Sequence, residues 1–194
     1  MGSRHVVAFL GAVVVAGALS LLSIAVGPER AGAATTVETC GGISITLNTE
    51  ERRILVLHNE ARKDHGLESL CVDLRLTMAA RSHSREMIEK DYFSHASYDG
   101  EGPSARLGSF GYDCGICSEN IAGGYGTLGE PDPTFERWMD SVGHRGNILD
   151  DTFRRVGVGT NTGNYKGMEG YTMYTVDFGA GFGDEKSPRL RASE

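Results

Sequence analysis

Histidine is the side chain in this sequence whose chemistry is most easily adjusted near neutral pH, and the chain contains six of them. An imidazole can bind a metal ion, transfer a proton or carry a pH-dependent charge. His95 and His144 stand just beyond the ends of predicted helices, on loops that can converge on a cleft. We therefore take them as candidate functional side chains, with the fixing of loop conformation as the alternative role.

The remaining histidines of the exported part of the chain are better explained by structure. His58 and His83 lie on predicted helices, and His83 falls within an apolar stripe, so both are expected to be packed and hydrogen-bonded. His65 precedes a helix-ending glycine and is expected in solvent. Asn59 and Arg62 lie three residues apart on one predicted helix, a spacing that favours internal polar contacts over substrate binding.

Signatures of nucleophilic catalysis do not occur in the sequence. It contains no Gly-x-Ser-x-Gly motif, no His-Glu-x-x-His motif and no unpaired cysteine placed as a nucleophile. Ser94 precedes His95 directly, but adjacent side chains rarely point at each other in a useful way. The sequence therefore gives little support to a hydrolase.

Four cysteines indicate two disulfide bonds in an exported protein. Three pairings are possible, and we favour Cys40–Cys71 with Cys114–Cys117, because Cys40 then ties the N-terminal segment to the domain. Cys114 and Cys117 also form a C-x-x-C motif, for which a redox centre or half of a zinc site are alternatives. The motif lies in a glycine-rich stretch without a second C-x-x-C, so a structural disulfide is favoured.

The N-terminal residues 1–33 have the pattern of an export signal. A basic tip is followed by the apolar run 6–26 and by small residues, which is typical of a signal peptide; the run is also long enough to serve as an uncleaved membrane anchor. The protein is thus expected to be secreted, or held at the cell surface if the leader is retained. The net charge of −7, without a basic cluster, argues against nucleic acid or anionic membranes as partners.

The remaining chain has helix patterns first and strand patterns last, which predicts an α+β fold. Residues 34–51 are expected to be an extended lead-in, residues 91–131 a long loop interrupted by one short helix, and residues 182–194 a disordered tail. The predicted helices are 49–64, 74–90, a short helix from Pro103 and a helix that begins at Asp132–Pro133 and ends at Gly143; the predicted strands are 156–160 and 171–178.

Eight ordered motifs carry a family resemblance. They are His58-Asn-x-x-Arg62, Leu70-x-x-Asp-x-x-Leu76, Ala80-x-x-His-Ser84, Tyr92-Phe-Ser-His95, Glu119-Asn-Ile-Ala122, the run from Trp138 to Leu149, Phe153-x-x-Val-Gly-Val-Gly159 and Tyr174-Thr-x-Asp-Phe-Gly179. Together they resemble a bacterial member of the CAP superfamily (cysteine-rich secretory proteins, antigen 5, pathogenesis-related 1), with the domain at residues 52–181.

The resemblance implies a three-layer α-β-α sandwich with a small antiparallel sheet and a cleft. In the family the cleft commonly holds two histidines and two acidic residues that can bind zinc. His95 matches the first histidine and Glu119 the first glutamate; the second glutamate position is Ser141 here, and no histidine occurs near residues 173–175. His144, in Gly-His-Arg, is then expected to supply the second imidazole. The predicted cleft residues are His95, Glu119, His144 and Ser141, and the predicted metal ligands are His95, Glu119 and His144.

These features predict a non-enzymatic extracellular binding module for a small or extended ligand such as a lipid, a glycan or a peptide, with a divalent metal (zinc) as an optional cofactor. A metal-dependent hydrolase or peptidase acting on extracellular or cell-envelope material is one alternative. A structural interaction module is another, in which Glu119 only holds neighbouring backbone amides. Asp177 is expected either to line the cleft or to have a solvated or backbone-bonding role. The sequence makes no prediction of oligomeric state.

Overall fold

The computed structural model describes residues 1–2 and 34–180, where five α-helices and six β-strands occur. Apart from residues 1–2, the predicted leader (1–33) lies outside the described residues, as does the predicted tail (182–194). In chain order the elements are β1 (Thr35–Glu38), β2 (Ser44–Leu47), α1 (Thr49–Asp64), β3 (Cys71–Val72), α2 (Leu74–Glu89), α3 (Pro103–Ser109), β4 (Cys117–Gly124), α4 (Pro131–Asp140), α5 (Val142–Ile148), β5 (Arg155–Tyr165) and β6 (Met168–Gly179).

The main sheet has the strand order β3-β5-β6-β4. β6 pairs antiparallel with both β5 and β4, whereas the two-residue β3 runs parallel to β5. The predicted sheet is thus antiparallel except at this short edge. β1 and β2 form a separate antiparallel pair within the predicted extended lead-in. β4 is the other edge strand of the main sheet, a position that matters for the site described below.

One face of the sheet packs against α1 and α4. Because side chains alternate along a strand, Val156 and Val158 of β5 point to the same side as Val176 and Phe178 of β6. They bury an apolar cluster with Trp138 of α4, which is 1% exposed. This cluster is the main hydrophobic core of the protein.

Helix α2 packs closely against the opposite face of the sheet. A Cβ atom added to Gly157 would lie 2.1 Å from the carbonyl carbon of Leu76, and one added to Gly159 would lie 2.1 Å from the backbone nitrogen of Arg81. Only glycine leaves room for a helix backbone at such a distance. With helices on both faces, the predicted α-β-α arrangement and α+β fold are confirmed.

Helices α1 and α2 begin where the capping signals place them. The Asn48 side chain accepts from the Glu51 backbone at 2.8 Å, and the Glu51 side chain accepts from the Asn48 backbone at 3.0 Å. Asp73 caps α2 by accepting from the backbone nitrogens of Arg75 and Leu76. These contacts satisfy amide groups that the first helical turn leaves without partners.

The predicted end of the fourth helix at Gly143 is wrong. α4 ends at Asp140, the backbone of Ser141 is extended (φ −91°, ψ 122°), and α5 then begins at Val142. Gly143 and His144 are consequently inside α5, so His144 lies on a helix and not on the loop that we expected. The start is also earlier than predicted, because Pro131 and not Pro133 occupies the first helical position.

The predicted long loop 91–131 contains a complete strand, β4. Its sequence has a single β-branched residue, Ile121, and two terminal glycines, so its local β-propensity is low. The strand forms because all eight of its residues pair with β6. Tertiary pairing outweighs local propensity here.

Both favoured disulfides form, Cys40–Cys71 and Cys114–Cys117. The first ties the segment after β1 to β3, as we expected for Cys40. Within the part of the chain that the structure describes, helices suited to crossing a bilayer are not found.

Candidate functional site

His95 and Glu119, two of the predicted cleft residues, are in direct contact. His95 lies between α2 and α3, and Glu119 lies on β4. Nδ1 of His95 is 2.6 Å from Oε1 of Glu119, which is a hydrogen-bonding distance. The Glu119 side chain is only 2% exposed, whereas that of His95 is 53% exposed. The buried carboxylate therefore supports an imidazole that solvent or a ligand can reach.

Arg106 of α3 holds both of these residues, and sequence reasoning missed it. Its Nη2 pairs with Oε2 of Glu119. Its Nη1 donates to the backbone carbonyl of His95 at 3.1 Å and to Oγ of Ser97 at 2.9 Å. A single arginine in a seven-residue helix carries no spacing signal, and only the fold shows that its side chain is buried against Glu119.

The Glu119 carboxylate sets the charge of His95. Its hydrogen bond raises the pKa of His95 above the ordinary 6.5, against the smaller opposing effect of burial. A cationic His95, the Arg106 guanidinium and the Glu119 carboxylate together carry one net positive charge. When His95 is protonated, the site is thus a local positive centre in a protein whose formal charge is −7.

Asp177 of β6 lies directly opposite Glu119 in the sheet. It is completely buried, and neither of its oxygens accepts a hydrogen bond from a described residue. Burial, and then the negative charge of Glu119, raise the pKa of Asp177 well above its usual range. Burial and the neighbouring carboxylate therefore favour the neutral form of Asp177 over a second negative charge beside Glu119. The alternative of a solvated or backbone-bonding Asp177 is wrong, because the side chain is buried and neither oxygen has a hydrogen-bond partner among the described residues.

The segment that carries His95 is anchored to α2. Nε2 of His83 lies 2.9 Å from the carbonyl oxygen of Ser94, and His83 is fully buried. Tyr92, at the start of the segment, donates to the carboxylate of Glu86. The predicted structural role of His83 is confirmed, and through Ser94 it fixes the backbone next to His95.

His144 is held near the site from α5. Its backbone carbonyl accepts from Nδ2 of Asn120 at 3.1 Å, and its Nδ1 is buried without a hydrogen-bond partner among the described residues. Burial, followed by the charge of His95, lowers the pKa of His144, so its imidazole stays neutral. Ser141 precedes α5 and makes no side-chain cap hydrogen bond.

Strand alternation explains why the predicted residues are not all in one place. Successive side chains of a strand point to opposite faces, so Glu119 faces Asp177 and α3 while Asn120 faces α5 and His144. Because β4 is an edge strand, the two faces meet at its open side. His95 and Glu119 thus form one unit, and His144 approaches that unit from the other face.

A cavity of about 270 Å³ opens beside His95 and Glu119. Its remaining lining residues are Pro103, Ser104, Leu107, Cys117 and Ser118. It combines an ionisable imidazole and two hydroxyls with a small apolar wall, a composition suited to orienting a small polar group. His144 and Ser141 are not among the described residues that line it.

The predicted metal ligation by His95, Glu119 and His144 does not fit the present arrangement of donors. Both oxygens of Glu119 are already engaged, one by His95 and one by Arg106, and the guanidinium would repel a second cation. Across the described ranges, no three His, Cys, Asp or Glu side chains are grouped closely enough to hold a metal ion. Ligation by this set would require Glu119 to exchange its partners, and it stays a prediction.

The layered fold, together with a histidine–glutamate pair at an edge strand, defines the class of protein. It is an α-β-α sandwich with an exposed imidazole supported by a buried carboxylate. The sequence model of the CAP family (cysteine-rich secretory protein family) matches residues 55–178. The chain belongs to this family, as the resemblance predicts.

Solved structures agree with the fold. The chain is similar to an extracellular SCP-domain protein of Bacillus anthracis, with 28% identity and a TM-score of 0.57, over 67% of this chain and 40% of that one. It is also similar to an outer surface protein of Borrelia burgdorferi, with 16% identity and a TM-score of 0.59, over 77% of this chain and all of that one. The second likeness shows the fold alone.

Among curated proteins, the chain is similar to the uncharacterized protein YkwD of Bacillus subtilis. The two sequences are 37% identical over a stretch that makes up 59% of this chain. The chain is 36% identical to the uncharacterized membrane protein YlbC of the same organism over 60% of its length. The matches cover 43% and 33% of those relatives. The chain therefore spans less than half the length of either relative.

Proposed function

We propose that this protein is an extracellular, non-enzymatic binding domain that receives an anionic group of its ligand beside His95. The observation that carries the proposal is the exposed His95 imidazole, held by buried Glu119 and Arg106 at the mouth of a cavity of about 270 Å³. A side chain fixed in this way loses little conformational freedom when a ligand binds.

The charge of the site favours an anion. The raised pKa of His95 keeps its imidazole cationic to higher pH, and the raised pKa of Asp177 disfavours a second negative charge there. Nε2 of His95 is the donor left after Nδ1 has bound Glu119. With the hydroxyls of Ser104 and Ser118 in the same cavity, it can hold a carboxylate or a phosphate by charge-assisted hydrogen bonds.

The same contacts favour binding over hydrolysis. A general base has to accept a proton from water or from a nucleophile, but the Glu119 carboxylate already accepts from His95 and Arg106. Neither cavity hydroxyl is hydrogen-bonded to His95, and Oγ of Ser104 instead lies 3.8 Å from Sγ of Cys114. A nucleophile–base pair is therefore not assembled in the described residues.

An extracellular location is supported by two observations. Both pairs of cysteines are oxidised, which is usual for exported proteins. The similar Bacillus anthracis protein is described as extracellular. The predicted leader at residues 1–33 agrees with export.

The proposal is tested with a peptide probe that differs only in charge. Acetyl-Gly-Gly-Gly with a free carboxylate and its C-terminal amide are titrated into the protein, and the imidazole resonances of His95 are followed by NMR. We expect the carboxylate to bind about tenfold more tightly than the amide, since a charge-assisted hydrogen bond replaces a neutral one.

His95→Gln should abolish this preference, whereas the matched change His65→Gln, at an exposed histidine on α1's C-terminal side, should leave it unchanged. Equal affinity of the acid and the amide for the unmodified protein would refute an anion site. So would carboxylate binding that persists in His95→Gln.

A further inference from the structure

The Cys114–Cys117 disulfide is a sequence motif to which the proposal above gives no role. Both cysteines are partly buried, whereas Gly115 and Ile116 between them are exposed, Ile116 by 55%. Cys114 also lines a cavity of about 400 Å³ beside α3, which has room for a small molecule. The disulfide therefore lies within reach of a dissolved thiol.

The other disulfide, Cys40–Cys71, is flanked by backbone hydrogen bonds. The amide of Cys40 donates to the carbonyl of Val72 at 2.8 Å. The amide of Cys71 donates to the carbonyl of Arg154 at 3.0 Å, within the pairing of β3 with β5. These bonds keep the two cysteines adjacent even when the sulfur–sulfur bond is broken.

Cys114 depends much more on its disulfide. Cys117 is the first residue of β4 and pairs with Gly179. By contrast, residues 113–115 make no backbone–backbone hydrogen bonds with the rest of the described chain. The position of Cys114 is set by the disulfide and by packing against the apolar cluster around Leu107. Reduction would therefore free the segment before β4 and leave Cys117 in the sheet.

The two disulfides also differ in how much their loss should destabilise the fold. Cys40 and Cys71 are separated by 31 positions in the sequence, and Cys114 and Cys117 by 3. In the chain-entropy account, the stabilisation from a disulfide increases with the length of the loop that it closes. Opening of Cys114–Cys117 should thus cost less stability, so that the reduced protein stays folded.

Both sulfur atoms are next to groups that line the cavity of His95. Cys117 lines this cavity itself, and it lies two residues before Glu119, on the same face of β4. Sγ of Cys114 is 3.8 Å from Oγ of Ser104, which lines the same cavity. Movement of the freed segment would therefore change the wall of the cavity.

We propose that the Cys114–Cys117 disulfide is a redox-sensitive switch in the wall of the His95 cavity, opened by a low-molecular-weight thiol while the protein stays folded. This inference goes beyond the proposed function and does not require an anion at His95. Exposed disulfides are the ones that react most readily in regulatory roles.

The reaction is thiol–disulfide exchange in two steps. A thiolate attacks Sγ of Cys114 and forms a mixed disulfide with it. The electron pair of the broken bond goes to Sγ of Cys117, which takes up a proton from water. A second thiolate attacks the sulfur of the bound thiol and releases Cys114, which is protonated in turn. Two thiols are oxidised to their disulfide, and the two cysteines are reduced.

The first experiment equilibrates the folded protein with graded ratios of reduced to oxidised 2-mercaptoethanol. Free thiols are alkylated with iodoacetamide and located by peptide mass spectrometry, and circular dichroism reports the fold. We expect Cys114 and Cys117 to be reduced at a ratio at least about tenfold lower than Cys40 and Cys71, since backbone-held thiols reclose at a higher effective concentration. The circular dichroism should not change.

The second experiment follows the cavity wall by NMR in the same samples. Reduction should lower the heteronuclear NOE of residues 113–116 and shift the ring resonances of His95. Joint replacement Cys114→Ser and Cys117→Ser should give this open state without thiol and abolish any further response. The matched control, Cys40→Ser with Cys71→Ser, should keep the response to thiol.

Two results would overturn the proposal. One is reduction of Cys114–Cys117 only together with Cys40–Cys71 or with loss of the circular dichroism signal, because the switch would then not open in the folded protein. The other is selective reduction that leaves the NOE values and the His95 resonances unchanged, because the disulfide would then not hold the cavity wall. Neither result depends on the preference for acid over amide, so the proposed function is tested separately.

Discussion

Two buried arginines lie on opposite sides of the sheet, and their contacts differ in kind. Arg62 of α1 is fully buried and donates to four backbone carbonyls, those of Glu68, Ile148, Asp150 and Phe153, at 2.8–3.1 Å. Arg106 of α3 is 5% exposed and pairs with a carboxylate, whose other oxygen holds an imidazole half exposed to a cavity. Both arginines are held by hydrogen bonds. Of the two networks, the one from Arg106 through Glu119 to His95 ends at an exposed side chain.

This difference separates a structural polar cluster from a candidate site. The partners of Arg62 are peptide groups of loops, so its network ends within the protein and fixes chain geometry. The network of Arg106 ends on His95, where Nε2 is left for an external partner. Burial alone therefore does not distinguish the two arginines. The distinguishing feature is a donor that the protein leaves free at the end of the network.

The largest expected effect tests the structural role of the Arg62 network. Arg62→Met should lower the free energy of unfolding by about 4 kcal/mol, since four carbonyl groups lose their donor in a buried position. Urea denaturation measures the loss, with Arg52→Met, at an exposed position of the same helix, as the control. The NMR titration of His95 should be unchanged in Arg62→Met. A shifted His95 titration would show that the two networks are coupled.

A smaller effect on the free energy of unfolding is expected from His58. Its ring packs among Phe135, Trp138 and Phe178, on the same side of the sheet as Arg62. Burial lowers the pKa of His58 to about 4, so between pH 6.5 and 4 the unfolded chain binds a proton that the folded chain does not. Stability due to His58 is therefore present above pH 6.5 and is lost as the pH falls toward 4, by about 3 kcal/mol in total.

The measurement is urea denaturation of the unmodified protein and of His58→Leu at several pH values. The difference between their stabilities should change over this window in favour of the leucine variant as the pH falls. A pH-independent difference would show that His58 is not buried as a neutral imidazole.

The smallest expected effect on the free energy of unfolding comes from His95. Its pH dependence is opposite to that of His58. The pKa of His95 is raised in the folded state, so its contribution to stability is present below pH 6.5 and is lost as the pH rises through the folded-state pKa. Because the side chain is half exposed, solvent screening keeps this contribution small. Glu119→Gln removes the first cause of the shift and leaves burial, so the pKa of His95 should fall.

NMR titration of the His95 ring in Glu119→Gln checks this expectation, with His65 as an internal reference in the same spectra. An unchanged pKa of His95 would mean that Glu119 does not set its charge. In that case the Arg106 network would not differ from the Arg62 network by its control of the His95 charge.

The sequence predicted the parts of the fold whose signals are local. The caps at Asn48 and Asp73 and the apolar stripes behind them placed α1 and α2 correctly. β4 was missed, because its stability comes from β6, which lies some fifty residues later in the chain. The break at Ser141 was missed because Gly143 carried a stronger stop signal than the serine.

The candidate site was predictable only through the family resemblance. It supplied His95 and Glu119, whose contact the structure shows, but no residue pattern connects them across twenty-four positions. The contact of Arg106 with Glu119 and the raised pKa of Asp177 could not be predicted, because both depend on burial and on which elements lie next to Glu119. His144 lies on α5, at the other face of β4, and its role as a cleft residue and metal ligand stays a prediction.

The glycines of β5 have a consequence for the backbone next to His95. Gly159 sets how near the α2 backbone comes to the sheet, and His83 of that helix holds the carbonyl beside His95. A methyl group at position 159, which does not line the cavity, would displace the helix and with it the Ser94 carbonyl that precedes His95. If the proposed binding function holds, the spacing between helix and sheet is a remote determinant of affinity, and variation at position 159 changes that affinity without changing a residue of the cavity lining.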